Sequence, residues 1–261
     1  MTDLARRLAV AEEVLRAAGA LARDYFLRRG ELTVERKGVQ DLVSVADKSV
    51  EALIRERLAT AFPGDAFLGE EGGGDGQAAR LWVIDPIDGT MNFLRGLPYW
   101  CCVLAYVEND VVELGLTADP LHSELFVARR GHGATRDGHP IRVSSVGDPA
   151  AACAALAFNF KQPAAPYLAM LERLTAAGFD HRRMGSSALQ LCHVADGRLD
   201  ATATLHCASW DVLAGLLIAR EAGALATNWL DGCPLTGQRA VAAATPGIAT
   251  AFATATGVPL P

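Results

Sequence analysis

Two aspartates three residues apart stand in the run Asp85-Pro86-Ile87-Asp88-Gly89-Thr90, directly after the apolar stretch Leu81-Trp82-Val83-Ile84. A strand feeding such a run gives a rigid mount for a catalytic group. Pro86 reads as fixing a tight turn, Gly89 as permitting close backbone approach, and Thr90 as opening a helix. Two carboxylates on one turn repel each other unless something neutralises them. A divalent cation does so economically, and hard oxygen donors select magnesium, manganese or calcium over zinc. Two further acidic signals flank this one: Glu70-Glu71 in a glycine-rich loop, and Asp211 behind Trp210 at the head of an apolar helix. Taken singly, the three read as a capped turn, a solvated loop and a helix N-terminus whose dipole favours an acid. It is the three together, in this order, that point to a metal centre.

The elements that must hold these residues follow from periodicity. Leu4, Leu8, Ala11, Leu15, Ala18, Ala22 and Tyr25 recur at three and four, predicting a helix over 3–29 that Gly30 stops. Residues 31–43 read as extended. A second helix is expected from Ser44, with Asp47 completing a capping-box-like pair, and Pro63-Gly64 ending it. Strands are expected at 81–84, 101–107, 111–116 and 124–128, with a glycine-bearing hairpin over 129–142. Beyond Gly147-Asp148-Pro149 the pattern alternates: strand 153–158, helix 167–177, helix 184–195, strand 199–204, helix 211–222 closed by Gly223, then one strand and one terminal helix. The expected division is an α+β half over 1–147, carrying the Glu70-Glu71 and Asp85–Thr90 segments, and an α/β half over 148–261 carrying Asp211.

Composition narrows the function classes. Half of the 261 residues are apolar and the formal net charge is −6, which argues against a nucleic-acid partner but not against an anionic substrate held through metal ions. The six cysteines form no CxxC pair, so neither a zinc site nor a disulfide framework is expected. The charged N-terminus lacks a signal-peptide core, and no run of 18 apolar residues occurs. A cytoplasmic protein with no membrane partner is expected.

The motifs resemble those of the inositol monophosphatase family, within the lithium-sensitive phosphatase superfamily. Asp85–Thr90, continued by Asn92 and Phe93, matches its first signature. Trp210-Asp211-Val212-Leu213-Ala214-Gly215, closed by Glu221-Ala222-Gly223, matches its second. Asp41-Leu42-Val43 with Asp47, preceded by Lys37, and Gly185-Ser186-Ser187-Ala188 resemble two further family elements. The resemblance implies a layered αβαβα sandwich, a dimer, and a magnesium-dependent phosphatase acting on a small phosphorylated metabolite. It implies two to three magnesium ions, with manganese as a substitute. Glu70, Asp85 and the Ile87 carbonyl would hold the first ion, and Asp85, Asp88 and Asp211 the second. Thr90, oriented by Asp47, would position the attacking water with Glu70. The N–H groups of Gly89 and Thr90 would receive the phosphate, and Gly185, Ser186 and Ser187 would lie on the substrate side. Two metals at about 3.5–4 Å serve both the nucleophile and the leaving oxygen of a phosphate monoester, so no protein nucleophile is needed.

One stretch departs from the family pattern. Seven residues before Asp211, where many relatives carry a glutamate that meets inositol hydroxyls, this chain has Thr204. Losing that carboxylate weakens polyol recognition. His206, nearby, reads as structural or substrate-facing rather than catalytic. Inositol monophosphate or a related polyol or sugar phosphate is the leading substrate expectation, and L-histidinol phosphate is the nearest rival. Fructose 1,6-bisphosphate, 3′-phosphoadenosine 5′-phosphate and a non-catalytic binding role rank lower.

Overall fold

Apolar residues at helical spacing near the N-terminus form α1 (Asp3–Leu27), whose buried stripe includes Ala11, Leu15, Ala18 and Ala22. The computed structural model describes residues 3–32, 34–38, 41–74, 76–160 and 162–261, and only the backbone of 34–38 and 41–43. The side chains of Lys37 and Asp41–Val43 therefore lie outside the described residues. Among those described, β1 (Val34–Gly38) and β2 (Asp41–Ser44) pair as a ribbon leading into α2 (Val45–Ala61). The capping box forms as its sequence predicts. The Ser44 hydroxyl accepts from the Ala46 N–H, and the Ser44 N–H donates to Asp47 Oδ2 at 2.8 Å.

A seven-stranded sheet follows, in the order of the chain: β3 (Ala66–Gly69), β4 (Arg80–Asp88), β5 (Cys101–Glu108), β6 (Val111–Asp119), β7 (Glu124–Arg129), β8 (Ala134–Arg136) and β9 (His139–Pro140). Between β4 and β5 lies the short α3 (Thr90–Arg95). The second sheet has five strands in the order β11-β10-β12-β14-β13: β10 (Cys153–Ala157), β11 (Asp180–Arg182), β12 (Ala201–Ala208), β13 (Leu225–Ala226) and β14 (Gln238–Ala244). The remaining helices are α4 (Ala164–Ala176), α5 (Ser187–Ala195), α6 (Ser209–Glu221) and α7 (Ala249–Thr256).

Alternation along the strands explains the layers. Leu81 and Val83 face α5 and α6, while Trp82 and Ile84 face α1 and α2. Both faces of the large sheet are thus covered, which is why its strands read as unbroken apolar runs. Helices α5 and α6 are filled between the two sheets, joining Val103, Ala105 and Phe126 of one to Ala155, Val241 and Ala243 of the other in one cluster. Helices α4 and α7 cover the far face of the small sheet through Leu174 and Phe252. The architecture is the expected αβαβα sandwich of a mixed α/β protein. The large sheet lies wholly before Gly147 and the small one wholly after it.

Three local expectations need correction. The Asp85–Asp88 run is no turn: β4 continues through it, with a bulge between Asp85 and Asp88. Helix α5 begins at Ser187 rather than 184, because Gly185 sits at φ +88 and Ser186 is the N-cap. Helix α4 starts three residues earlier than position 167, directly after Pro163.

Candidate active site

The bulge decides where the acids point. Asp85 pairs with Val103 and Asp88 with Cys101, so three steps on β4 match two on β5. In a regular strand, residues three apart face opposite sides; the extra residue brings Asp88 back to the side of Asp85. Pro86, which has no N–H to give a ladder, is tolerated within such a bulge. Both carboxylates therefore face α5 and α6, where they would otherwise have been split between core layers.

Parallel strand ends complete the cluster. β3 and β4 are parallel, and Glu70 directly follows β3. β10 and β12 are also parallel, and β12 leads into the first turn of α6, where Asp211 lies. Oxygens of Glu70, Asp85 and Asp211 all come within 4.8 Å of one another. Asp85 is 1% exposed. Burial first, then the negative charges of Glu70, Asp88, Asp211 and Asp47, push its carboxyl well above the usual range. A buried group surrounded by like charges is relieved by a hard cation, and all the donors here are oxygen. The residues present therefore fit a magnesium-type ion.

Asp88 is held differently. Its Oδ2 accepts from the Ser186 hydroxyl at 2.6 Å and the Ala188 N–H at 2.7 Å, with the Cys101 thiol 3.9 Å away. Burial pushes its pKa up to about 6, against the pull of these donors and the Ser187 N–H. Asp88 is thereby tied to the start of α5, across the gap between the two sheets. This revises the reading of Ser186. It is 1% exposed, donates its hydroxyl to Asp88 and is not among the residues lining the cleft, so it orients a carboxylate.

The Thr90 hydroxyl lies 3.0 Å from the Ile87 carbonyl and 3.4 Å from Asp47 Oδ1. Asp47 is buried; burial raises its pKa, opposed chiefly by the donors of Ser44. The Ile87 N–H donates to Asp85 Oδ1 at 3.0 Å. Asp211 Oδ2 accepts from the Ala208 N–H at 2.9 Å, which fixes it against the first turn of α6.

These groups line or back a cleft of about 570 Å³ between the sheets. Glu70, Gly89, Thr90 and Asp211 form its floor; Gly185, Ser187, Thr204 and His206 lie on its wall. Gly89 is at φ +98, and a Cβ there would stand 3.0 Å from the Tyr99 carbonyl, so glycine is required. Thr204 is 5% exposed, and its hydroxyl donates to the His206 carbonyl at 3.3 Å across a second bulge, in β12.

Sequence reasoning gave no site role to three contributors. Glu51 is buried on α2 and accepts from the N–H groups of Glu71 and Gly72, both at 2.9 Å, and from Arg55 at 2.7 Å. It shapes the loop that carries Glu70. Its signal was visible: Asp47, Glu51, Ile54 and Leu58 form one helical stripe with two acids at its head. Asn92 donates to the Tyr99 and Met184 carbonyls at 2.7 and 2.8 Å, tying the two halves together beside the cleft. The α5 backbone N–H groups on Asp88 have no signature beyond the Ser186 cap.

A five-layer sandwich with an acidic cleft between its sheets is the architecture of a known class of phosphatases. The sequence profile of the inositol monophosphatase family matches residues 3–257, and the chain belongs to that family. Among curated relatives, Nus factor SuhB of Pasteurella multocida is 38% identical over 91% of both chains. Nus factor SuhB of Escherichia coli is 35% identical over 86% of both. Among solved structures, the inositol monophosphatase of Anabaena (Nostoc) has a TM-score of 0.83 at 33% identity, covering 99% of this chain and 98% of its own. The IMPase of Thermotoga maritima has a TM-score of 0.86 at 30% identity, covering 97% of each. No described helix is long and apolar enough to cross a membrane.

Proposed function

We propose that this chain is a magnesium-dependent phosphomonoesterase acting on inositol monophosphate or a related small polyol or sugar phosphate. The observation that carries this reading is the convergence of Glu70, Asp85 and Asp211 oxygens within 4.8 Å at the floor of the cleft. Glu70, Asp85, Asp88, Asp211 and the Ile87 carbonyl would hold two to three magnesium ions. When bound, such ions make a water more acidic and neutralise charge on phosphate oxygens. The chain's own groups do the rest. The Thr90 hydroxyl, held by Asp47 and the Ile87 carbonyl, has one proton to donate and lone pairs left to orient a water. Glu70 accepts from that water on the opposite side. The Gly89 and Thr90 N–H groups open α3 toward the phosphate.

Between the two leading substrates, the wall favours the neutral one. Arg95 and Arg183 line the cleft, and histidinol phosphate would set a cationic ammonium near them. The relatives' name favours one further reading, in which this chain also joins a transcription complex; co-purification with RNA polymerase tests it.

The decisive experiment is phosphate release from inositol 1-phosphate, sugar phosphates and histidinol phosphate, with and without magnesium. Magnesium-dependent release is expected. Full activity in excess chelator, or no release from any ester, would overturn the proposal.

A further inference from the structure

A ladder of uncharged polar side chains runs from the cleft into the layer between the sheets. Alternation along β12 places Ala201 and Ala203 under α4 and α7, and turns Thr202 and Thr204 towards α5. On α5, Ser187 and Gln190 stand three apart and so share a face. Ser187 and Thr204 line the cleft, and Gln190 and Thr202 lie behind them. All four border a cavity of about 10 Å³, closed elsewhere by Leu191, Val212 and Val241.

Gln190 is the unexpected member of this group. It is 1% exposed. Its Oε1 accepts from the Thr202 hydroxyl at 3.0 Å, whereas Nε2 is buried with no partner among the described residues. A buried amide N–H is costly to leave unpaired, and a methionine would fill the same space without that cost. The amide therefore calls for an acceptor in the cavity. A cavity of this size holds about one water, and Gln190, Thr204 and Ser187 supply the polar partners that a buried water takes.

We infer that Gln190 is a positioning residue for substrate selection: through one buried water it turns the Ser187 hydroxyl proton towards the cleft, to donate to a hydroxyl oxygen of the substrate. This rests on the phosphomonoesterase reading above and deepens it. The Gln190 Nε2–H donates to the water. One water proton goes to Thr204 Oγ1, whose own proton is held by the His206 carbonyl, and the other goes to Ser187 Oγ. Ser187 then accepts from behind and donates forward. Among the described residues, the carboxylates lining the cleft are Glu70 and Asp211, both at its floor, so the wall meets substrate with neutral and cationic groups. A neutral donor there suits the oxygen of a polyol and offers nothing to an ammonium group.

The test compares inositol 1-phosphate with propyl phosphate, whose alcohol carries no further hydroxyl. The unaltered protein should prefer the inositol ester. Gln190→Met removes the amide at similar volume and should cut the ratio of the two kcat/KM values by about three- to tenfold, through KM. Ser187→Ala should cut it by the same factor, and the double variant no further, because both changes break one chain. Unchanged ratios in the single variants, or losses that multiply in the double variant, would overturn the inference. A high-resolution crystal structure of the unaltered protein gives a check that does not depend on any variant folding. A water bonded to Gln190 Nε2 between Thr204 and Ser187 is expected, and a dry cavity would overturn the chain. Equal use of the two esters by the unaltered protein would overturn the selection while leaving the phosphomonoesterase intact. Release from no ester at all would overturn both readings together.

Discussion

The floor and the wall of the cleft are made of opposite materials. Asp85, Asp88 and Asp47 are buried acids whose unfavourable charge calls for a cation. Phe158, Phe160 and Arg183 are partly or wholly exposed groups that meet one another. Asp88 and Asp47 are each fixed by two or more hydrogen bonds, and Asp85 by one hydrogen bond and its place in the bulge. The wall stands on the loop after β10 and on the bulge of β12. On the proposed function, chemistry would reside in the floor and selectivity in the wall, and changes to the two should have separable consequences.

The largest expected effect is on the floor as a whole. Dialysis against chelator should abolish phosphate release, and added magnesium should restore it. Persistence of the rate in chelator would dissolve the distinction, because the acids would then have to act without their ion.

Asp88→Asn comes next. The donors from Ser186 and Ala188 hold one oxygen of this group, and an asparagine carbonyl can accept both. Its NH2 is then turned towards the metal side, where it repels a cation. Folding should be kept, with an unchanged melting temperature in chelator or a higher one, because one buried charge has gone. Turnover should fall by more than the ~10–100-fold typical of groups that merely support a ligand. A variant with a tenth or more of the original rate would place Asp88 outside the metal's ligands.

The same contrast explains what could be read in the sequence. The capping box of Ser44 and Asp47 and the acids of the floor were legible, because each rests on local residue type and spacing, whereas the sandwich was legible only through the family resemblance those motifs carry. The bulge in β4 was not, because register depends on which partner strand pairs with it; Pro86 was read as a turn for that reason. Ser186 was expected on the substrate side because Gly185-Ser186-Ser187-Ala188 resembles a family element assigned there. Only the meeting of α5 with β4 shows that it serves Asp88 instead. Phe158 and Phe160 carried no signal, since aromatic residues after a strand usually mark core.

A wall residue gives the third, smaller effect. Thr204→Glu restores an acceptor for vicinal hydroxyls, and a well-placed charge-assisted hydrogen bond changes a rate by about tenfold or more. The ratio of kcat/KM for inositol 1-phosphate over histidinol phosphate should rise by about that factor. Thr204 is 5% exposed, so thermal stability must be measured beside the kinetics. A folded variant with an unchanged ranking would remove position 204 from the selective wall.

The least effect on turnover should come from a group in neither floor nor wall, whose consequence is for stability. His193 lies towards the far end of α5 from Asp88, with Nδ1 3.1 Å from the Tyr99 hydroxyl and Nε2 buried without a partner among the described residues. Protonation would put an unpaired N–H in the core, and burial lowers its pKa to about 4. An unfolded histidine titrates near 6.5. The unfolded chain therefore takes up a proton first as pH falls. The stabilisation is complete above about 6.5 and is lost progressively towards 4, reaching on the order of 3 kcal/mol. The metal-free carboxylates of the floor contribute with the opposite sign, since their raised pKa values make the native state the better proton acceptor between about 4 and 6. Comparing the unaltered protein with His193→Phe in chelator cancels that contribution. The stability difference between the two should be constant above pH 6.5 and shift in favour of the variant as pH drops to 4. Substrate ranking should not move. A flat difference across that range would mean that the ring is already charged or solvated. A changed ranking would show that α5 transmits its packing to the wall, and the separation of floor from wall would then fail at that helix.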